Sequence, residues 1–125
     1  MKRDMDLIRK ILLTVEKEYK PGETFMFGLK VEDYDMPTIA EHCDLLYQQG
    51  FLKAYKPTHG GDRIQIFTIG NITASGYDYL DLIRDDGVWD KTKKEIEKQK
   101  IPSTFETIAK VAGVFVGNII KELSG

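Results

Sequence analysis

The chain has 125 residues, 42% of them apolar and 30% charged, enough for one globular domain with a real core and an appended helix but too few for two independent domains. A formal charge of −2 excludes a uniformly basic nucleic-acid coat, so any duplex contact has to come from a local patch. Cys43 is the single cysteine and excludes an internal disulfide, while the opening MKRDMDLIRK interleaves charges where a secretory signal carries an unbroken apolar run, so the expectation is a cytoplasmic protein.

In chain order, residues 3–19 set Met5, Ile8, Ile11, Leu12, Val15 and Tyr19 at the spacing of an amphipathic helix that Pro21 and Gly22 end. TFMFGLKVEDYDM supports a short extended segment and then an acidic loop. Residues 37–49 read as a helix with Asp35 or Met36 at the cap, Pro37 in the first turn and Gly50 as a left-handed stop. Ile39, Cys43 and Leu46 share its core face, with Glu41, Asp44 and Gln48 opposite. FLKAYK and RIQIFTI are two strands, the second with Ile64, Ile66 and Thr68 on one face and Gln65, Phe67 and Ile69 on the other. Gly60 and Gly61 between them predict a hairpin.

Thr73 caps the next helix, ASGYDYLDLIRDD, whose buried stripe is Tyr77, Leu80 and Ile83 or Leu82 and whose end is Gly87. VWDKTKKEIEKQK forms a short helix with Val88, Trp89 and Ile96 inward. Ser103 followed by Glu106 is a capping box that opens a last helix of roughly twenty residues. Helix, extended segment, helix, glycine, strand, turn, strand, helix is the order of an α+β winged-helix domain, a helix-turn-helix variant with a β-hairpin wing. The expected domains are a winged helix over 1–86 and a C-terminal helical extension over 87–125.

The stretches MKRDMDLIRKILL, EHCDLLYQQGFLKA and ITASGYDYLDLIRDDGVWDKTKKEI resemble the proteins gathered as domain-of-unknown-function family 2513, over about residues 1–100. The resemblance implies a winged-helix-like protein of phages and prophages. It implies no activity, and no catalytic residue carries over. One departure is the short acidic segment before the middle helix, which leaves little room for the first helix of a full helix-turn-helix.

Charge falls in blocks. Glu32, Asp33, Asp35, Glu41 and Asp44 give residues 31–52 a sum of −5 with no Lys or Arg. Lys53, Lys56, His59 and Arg63 surround the hairpin, where glycines let the backbone approach phosphates; the plainer alternative is a hairpin protected by basic edge residues. Thr38, His42 and Gln48 are the middle helix's candidate base contacts. Glu41 and Asp44 would repel a duplex, and the alternative they raise is a basic protein partner. His42 and Cys43 are adjacent, so they diverge by about 100° on a helix and do not chelate together; Cys43 is expected in the core, His42 partly exposed, and no metal or cofactor is expected. There is no glycine-rich phosphate loop, nucleophile motif or HExxH, so a non-enzyme is expected. In the last helix, Ala109, Gly113 and Gly117 make a small-residue ridge that, with Phe115 and Ile120, reads as a dimerisation face. A membrane span there would have to take in Glu106, Lys110 and Asn118. The reading is a small DNA-binding transcriptional regulator that binds double-stranded DNA as a homodimer.

Overall fold

The computed structural model describes residues 1–124, which form five α-helices and one three-stranded antiparallel sheet. The protein is therefore α+β. It divides into two compact units, Met1–Tyr77 and the segment from Asp78 onward, with the division falling inside a helix.

In the first unit, α1 spans Met5–Glu18 and is opened by Asp4, whose side chain accepts the Leu7 N–H. Leu7, Ile8, Ile11, Leu12 and Val15 are fully buried; Leu7 joins the expected stripe, and Tyr19 remains only half-buried outside it. The extended segment is reduced to β1, Met26–Phe27. Helix α2, Met36–Gln48, has the expected architecture: Asp35 is the N-cap, Pro37 sits in the first turn, and Gly50 follows at φ +83. Helices α1 and α2 pack together, and α2 also packs on the hairpin.

The hairpin is displaced from its expected position. Strand β2 is Tyr55–Gly60 rather than residues 51–56, and β3 is Arg63–Ile69. Residues 51–54 instead continue the ladder irregularly: Leu52 bridges Ile72, and the Lys53 N–H donates to the Asn71 carbonyl. The turn shrinks to Gly61 and Asp62, since Gly60 pairs with Arg63. Gly61 has φ +67, and Asp62 is not among the positive-φ residues, which is the type II′ pattern suited to a two-residue hairpin. Pro57 is tolerated because β2 lies at the edge of a sheet ordered β1-β3-β2.

A bulge between the Thr58↔Ile66 and His59↔Ile64 pairs leaves Gln65 as the extra residue of β3. That irregularity corrects the expected faces, because Ile64 and Ile66 no longer share one. Phe67 and Ile69 point into the core, whereas Ile66 is 48% exposed.

Helix α3, Ala74–Ile83, opens where expected, with Thr73 Oγ1 accepting the Gly76 N–H. It stops at Ile83, and Gly87 does not end it. Asp85 instead caps a new helix, α4, Asp86–Gln99, by accepting the Val88 N–H, so Gly87 lies in that helix's first turn. Tyr79 takes the buried position expected for Tyr77. In the second unit α4 packs on α5, Phe105–Ser124. Val88, Trp89, Thr92 and Ile96 face inward, and Tyr79 meets Phe105 edge-on with ring centroids 5.5 Å apart. The cap of α5 is Thr104, not Ser103: Thr104 Oγ1 accepts the Thr107 N–H. Among the described residues no helix is long and apolar enough to cross a membrane.

Candidate nucleic-acid interface

The exposed side of α2 is bordered by two different flanks. On one, Pro37 and Glu41 form an open groove with His59, Asp62, Arg63, Ile64 and Gln65 of the hairpin tip. Tyr55 lies at the base of this flank, where burial, with Glu41 and Asp44 nearby, pushes its phenol up to about 12. The carboxylates thus set a negative potential against the hairpin base, with Arg63 across the groove as a local counter-charge. Gln48 is exposed near the end of the helix.

The other flank faces α1. His42 was expected to be partly exposed and to reach a base; it is instead fully buried. Its Nδ1 lies 2.8 Å from the Thr38 carbonyl, to which it donates, and its Nε2 accepts the Asp4 N–H at 2.9 Å. Both ring nitrogens serve the backbone, which removes His42 from any list of base contacts. A helical residue about 100° from the core-facing Cys43 sits at the rim of the buried face, and α1 covers that rim. Thr38 is half-buried, and its hydroxyl and N–H both bond Asp35, holding that carboxyl below its ordinary value. Burial pushes the Cys43 thiol up to about 12, so it is an inert core group. Among the described residues no three His, Cys, Asp or Glu side chains gather as metal ligands would.

The four basic residues grouped along the hairpin are all exposed, but strand alternation divides them. His59 faces the α2 groove. Lys56, three residues earlier on the same strand, points the opposite way, with Nζ 5.1 Å from the Phe25 ring centroid. Arg63 stands at the turn, and Lys53 lies near the irregular base. On α5, Ala109, Gly113, Phe115 and Gly117 are half-buried and Ile120 is 59% exposed.

A family model described as Hypothetical protein (DUF2513) matches residues 2–102. The chain belongs to this family. The matched stretch runs from α1 through α4 and leaves α5 outside. The chain is also similar to a protein of Haemophilus influenzae (strain ATCC 51907 / DSM 11121 / KW20 / Rd) described as "Uncharacterized protein", at 29% identity over 121 residues, covering 96% of this chain and 99% of that one. No solved structure matches the chain.

In this DUF2513 chain, sequence reasoning missed the role of the N-terminal residues at α2. Asp4 has three partners: its N–H goes to His42, Oδ1 accepts Leu7 N–H, and Oδ2 accepts the Tyr34 hydroxyl at 2.7 Å. That hydrogen bond, with burial and the nearby Asp4, Asp6 and Asp33 charges, pushes the Tyr34 phenol up to about 12. Its only signal in the sequence was an Asp at a helix start; the partners lie 30 and 38 residues away.

Proposed function

We propose that this DUF2513 protein is a small winged-helix DNA-binding regulator of phage or prophage origin, with the hairpin as a wing on backbone phosphates and the exposed side of α2 near the groove. The observation that carries the reading is the hairpin's form. From Lys56 to Gly60 every residue of β2 is exposed, so this arm extends beyond the core, with His59 and Arg63 beside its tight turn and Lys56 further down on the opposite face. The sheet order β1-β3-β2 and the passage from α2 through Gly50 into the hairpin suit a winged helix in which the loop between β1 and α2 replaces a helix. Positioning by phosphates, with few base contacts, fits an α2 that offers only Thr38 and Gln48.

The test is fluorescence anisotropy on a random labelled duplex across a salt series. Wild-type binding is expected to weaken with salt, and Lys56→Glu with Arg63→Glu to abolish it while leaving the circular dichroism spectrum unchanged. Unaltered affinity in the double variant would overturn the wing assignment.

A second reading is favoured by the potential that Glu41 and Asp44 place at Tyr55: a module that binds a basic protein surface through the same flank of α2. Under it the charge reversal leaves the partner complex intact, and Glu41→Lys with Asp44→Lys breaks it. Self-association through α5 belongs to either reading. Val114, Ile119, Ile120 and Leu123 are exposed, and a Cβ at Gly113 or Gly117 would meet nothing within 4 Å. A second copy carrying the same ridge could approach α5 closely there.

A further inference from the structure

His42 is a titratable side chain that the proposed function leaves unused. It is fully buried, and its bonds admit one protonation state. Nδ1 lies 2.8 Å from the Thr38 carbonyl, which can only accept, so Nδ1 carries a proton. Nε2 lies 2.9 Å from the Asp4 nitrogen, whose N–H can only donate, so Nε2 is bare. The ring is therefore neutral, and it ties α1 to α2 by a bond that spans 38 residues. Asp4 passes the constraint on, since its carboxylate caps α1 at Leu7 and takes the Tyr34 hydroxyl. Tyr34 arrives on a turn, its N–H donating to the Val31 carbonyl at 3.2 Å, that holds Asp33 at φ +72. Aspartate tolerates this left-handed conformation better than most residues but adopts it seldom. The joint thus holds the loop in a form that a free chain would largely leave.

We infer that His42 is a proton-sensitive latch: the neutral ring fastens the start of α1 to α2, and a proton taken up at Nε2 releases Asp4 and, with it, Tyr34 and the loop before α2. A proton on Nε2 would set one N–H against another, so the Asp4 bond is lost and a charge is left in the core that only opening can rehydrate. The charges around the joint favour a cation there. Asp4 and Asp6 on α1 and Asp33 in the loop all act on Tyr34, and Asp35 caps α2 at Thr38. The cations on the α1 side are Arg3, next to Asp4 in sequence, and Lys10, whose Nζ is 5.5 Å from the Tyr34 ring centroid. On the flank of α2 toward the hairpin, Glu41 and Asp44 stand near Tyr55. Negative charge outweighs positive around a ring whose bonding holds it neutral, and opening the joint relieves the conflict. Because the closed ring is out of reach of solvent, its protonation and the lifting of the first turn of α1 from α2 are one event. The latch operates whether or not the chain binds nucleic acid.

The test is a series of nuclear magnetic resonance spectra of the full-length, isotope-labelled protein from about pH 8 down to about pH 4, which takes in the imidazole and then the carboxylate range. Ring nitrogens and backbone amides are followed together. At the upper end His42 is expected to show a protonated Nδ1 and a bare Nε2. On acidification Nε2 gains a proton, and the Asp4 and Tyr34 amides shift on the same curve while those of α4 stay in place. The Asp4 amide is expected to lose about tenfold of its protection from exchange, the worth of one hydrogen bond. His59→Gln, which removes the chain's other histidine, leaves this curve unchanged, and His42→Gln removes it. Should His42→Gln not fold, the wild type and His59→Gln decide alone. Asp4 and Tyr34 amides that stay put while His42 is protonated would overturn the latch. So would amide shifts confined to the carboxylate range with the His42 ring still neutral, or an Nε2 that stays bare down to the pH at which the whole chain unfolds.

Discussion

Asp4 shows how one side chain at a helix start can organise several elements. As an N-cap it satisfies one of the donors that every helix leaves open, and its second oxygen and its own N–H bring in Tyr34 and His42. The bond from Tyr34 stabilises the protonated phenol, and Tyr55 is held protonated by burial beside Glu41 and Asp44. Both are raised from 10.0 to about 12, so in alkaline solution the folded chain binds these protons more tightly than the unfolded chain does. Their stabilisation is complete below the unfolded value of 10.0 and is lost as the pH rises through about 12. Both are expected to ionise late in an ultraviolet titration of the folded protein, and Tyr34→Phe to remove one late step. If every phenolate of the folded protein appears together near the ordinary value, the Tyr34–Asp4 bond is not formed in solution.

At the scale of elements, close approach accounts for one residue that helix propensity alone would disfavour. A Cβ at Gly76, in the first turn of α3, would collide with the Phe51 carbonyl oxygen and lie 2.7 Å from Ile72 Cγ2. Alanine normally improves a helix by about 1 kcal/mol over glycine. Here a backbone carbonyl has to move, and overpacking of this kind costs about 1–3 kcal/mol. Gly76→Ala is therefore expected to lower the denaturation midpoint. A higher midpoint would mean that α3 stands further from Phe51. The same contrast explains what could be read in advance. Helices α1 and α2 combine apolar periodicity with an N-terminal Asp and a clear stop, and local rules suffice for each; at the start of α4 Gly87 reads as a stop, whereas the Asp85 cap places it in the first turn of the new helix. The hairpin did not yield to them: Gly60, Gly61 and Pro57 all signal a turn, yet an edge position and a two-residue turn let residues 55–60 form a strand. The bulge at Gln65 and the burial of His42 depend on elements packing together, so local pattern holds no trace of them. Ser103 and Thr104 are rival caps one residue apart, and the pattern with Glu106 favoured the wrong one.

For the whole molecule the open question is how many copies act together. Helix α5 has 20 residues against 14 in α4, and at about 1.5 Å per residue it is roughly 9 Å longer than its partner. The buried stripe of Phe105, Ile108 and Ala112 continues as Ile119 and Leu123, which are 45% and 84% exposed. Beside it, Gly113 and Gly117 each forgo about 1 kcal/mol of helix propensity with no contact among the described residues that requires them. Close pairing with a second α5 would offset that loss and cover the stripe. Light scattering is expected to give a dimer mass for the wild type, and a monomer mass with an unchanged helical spectrum for Ile120→Asp. Under the proposed DNA reading the consequence reaches the duplex as well, since two linked copies would engage it with twice the phosphate contacts and a raised effective concentration for the second copy. Ile120→Asp should therefore bind a random duplex with about half the wild-type salt slope, although residue 120 belongs to the unit that does not carry the hairpin. A monomeric wild type would remove the self-association, whereas a dimer whose dissociation leaves the slope unchanged would mean that only one copy touches the duplex at a time.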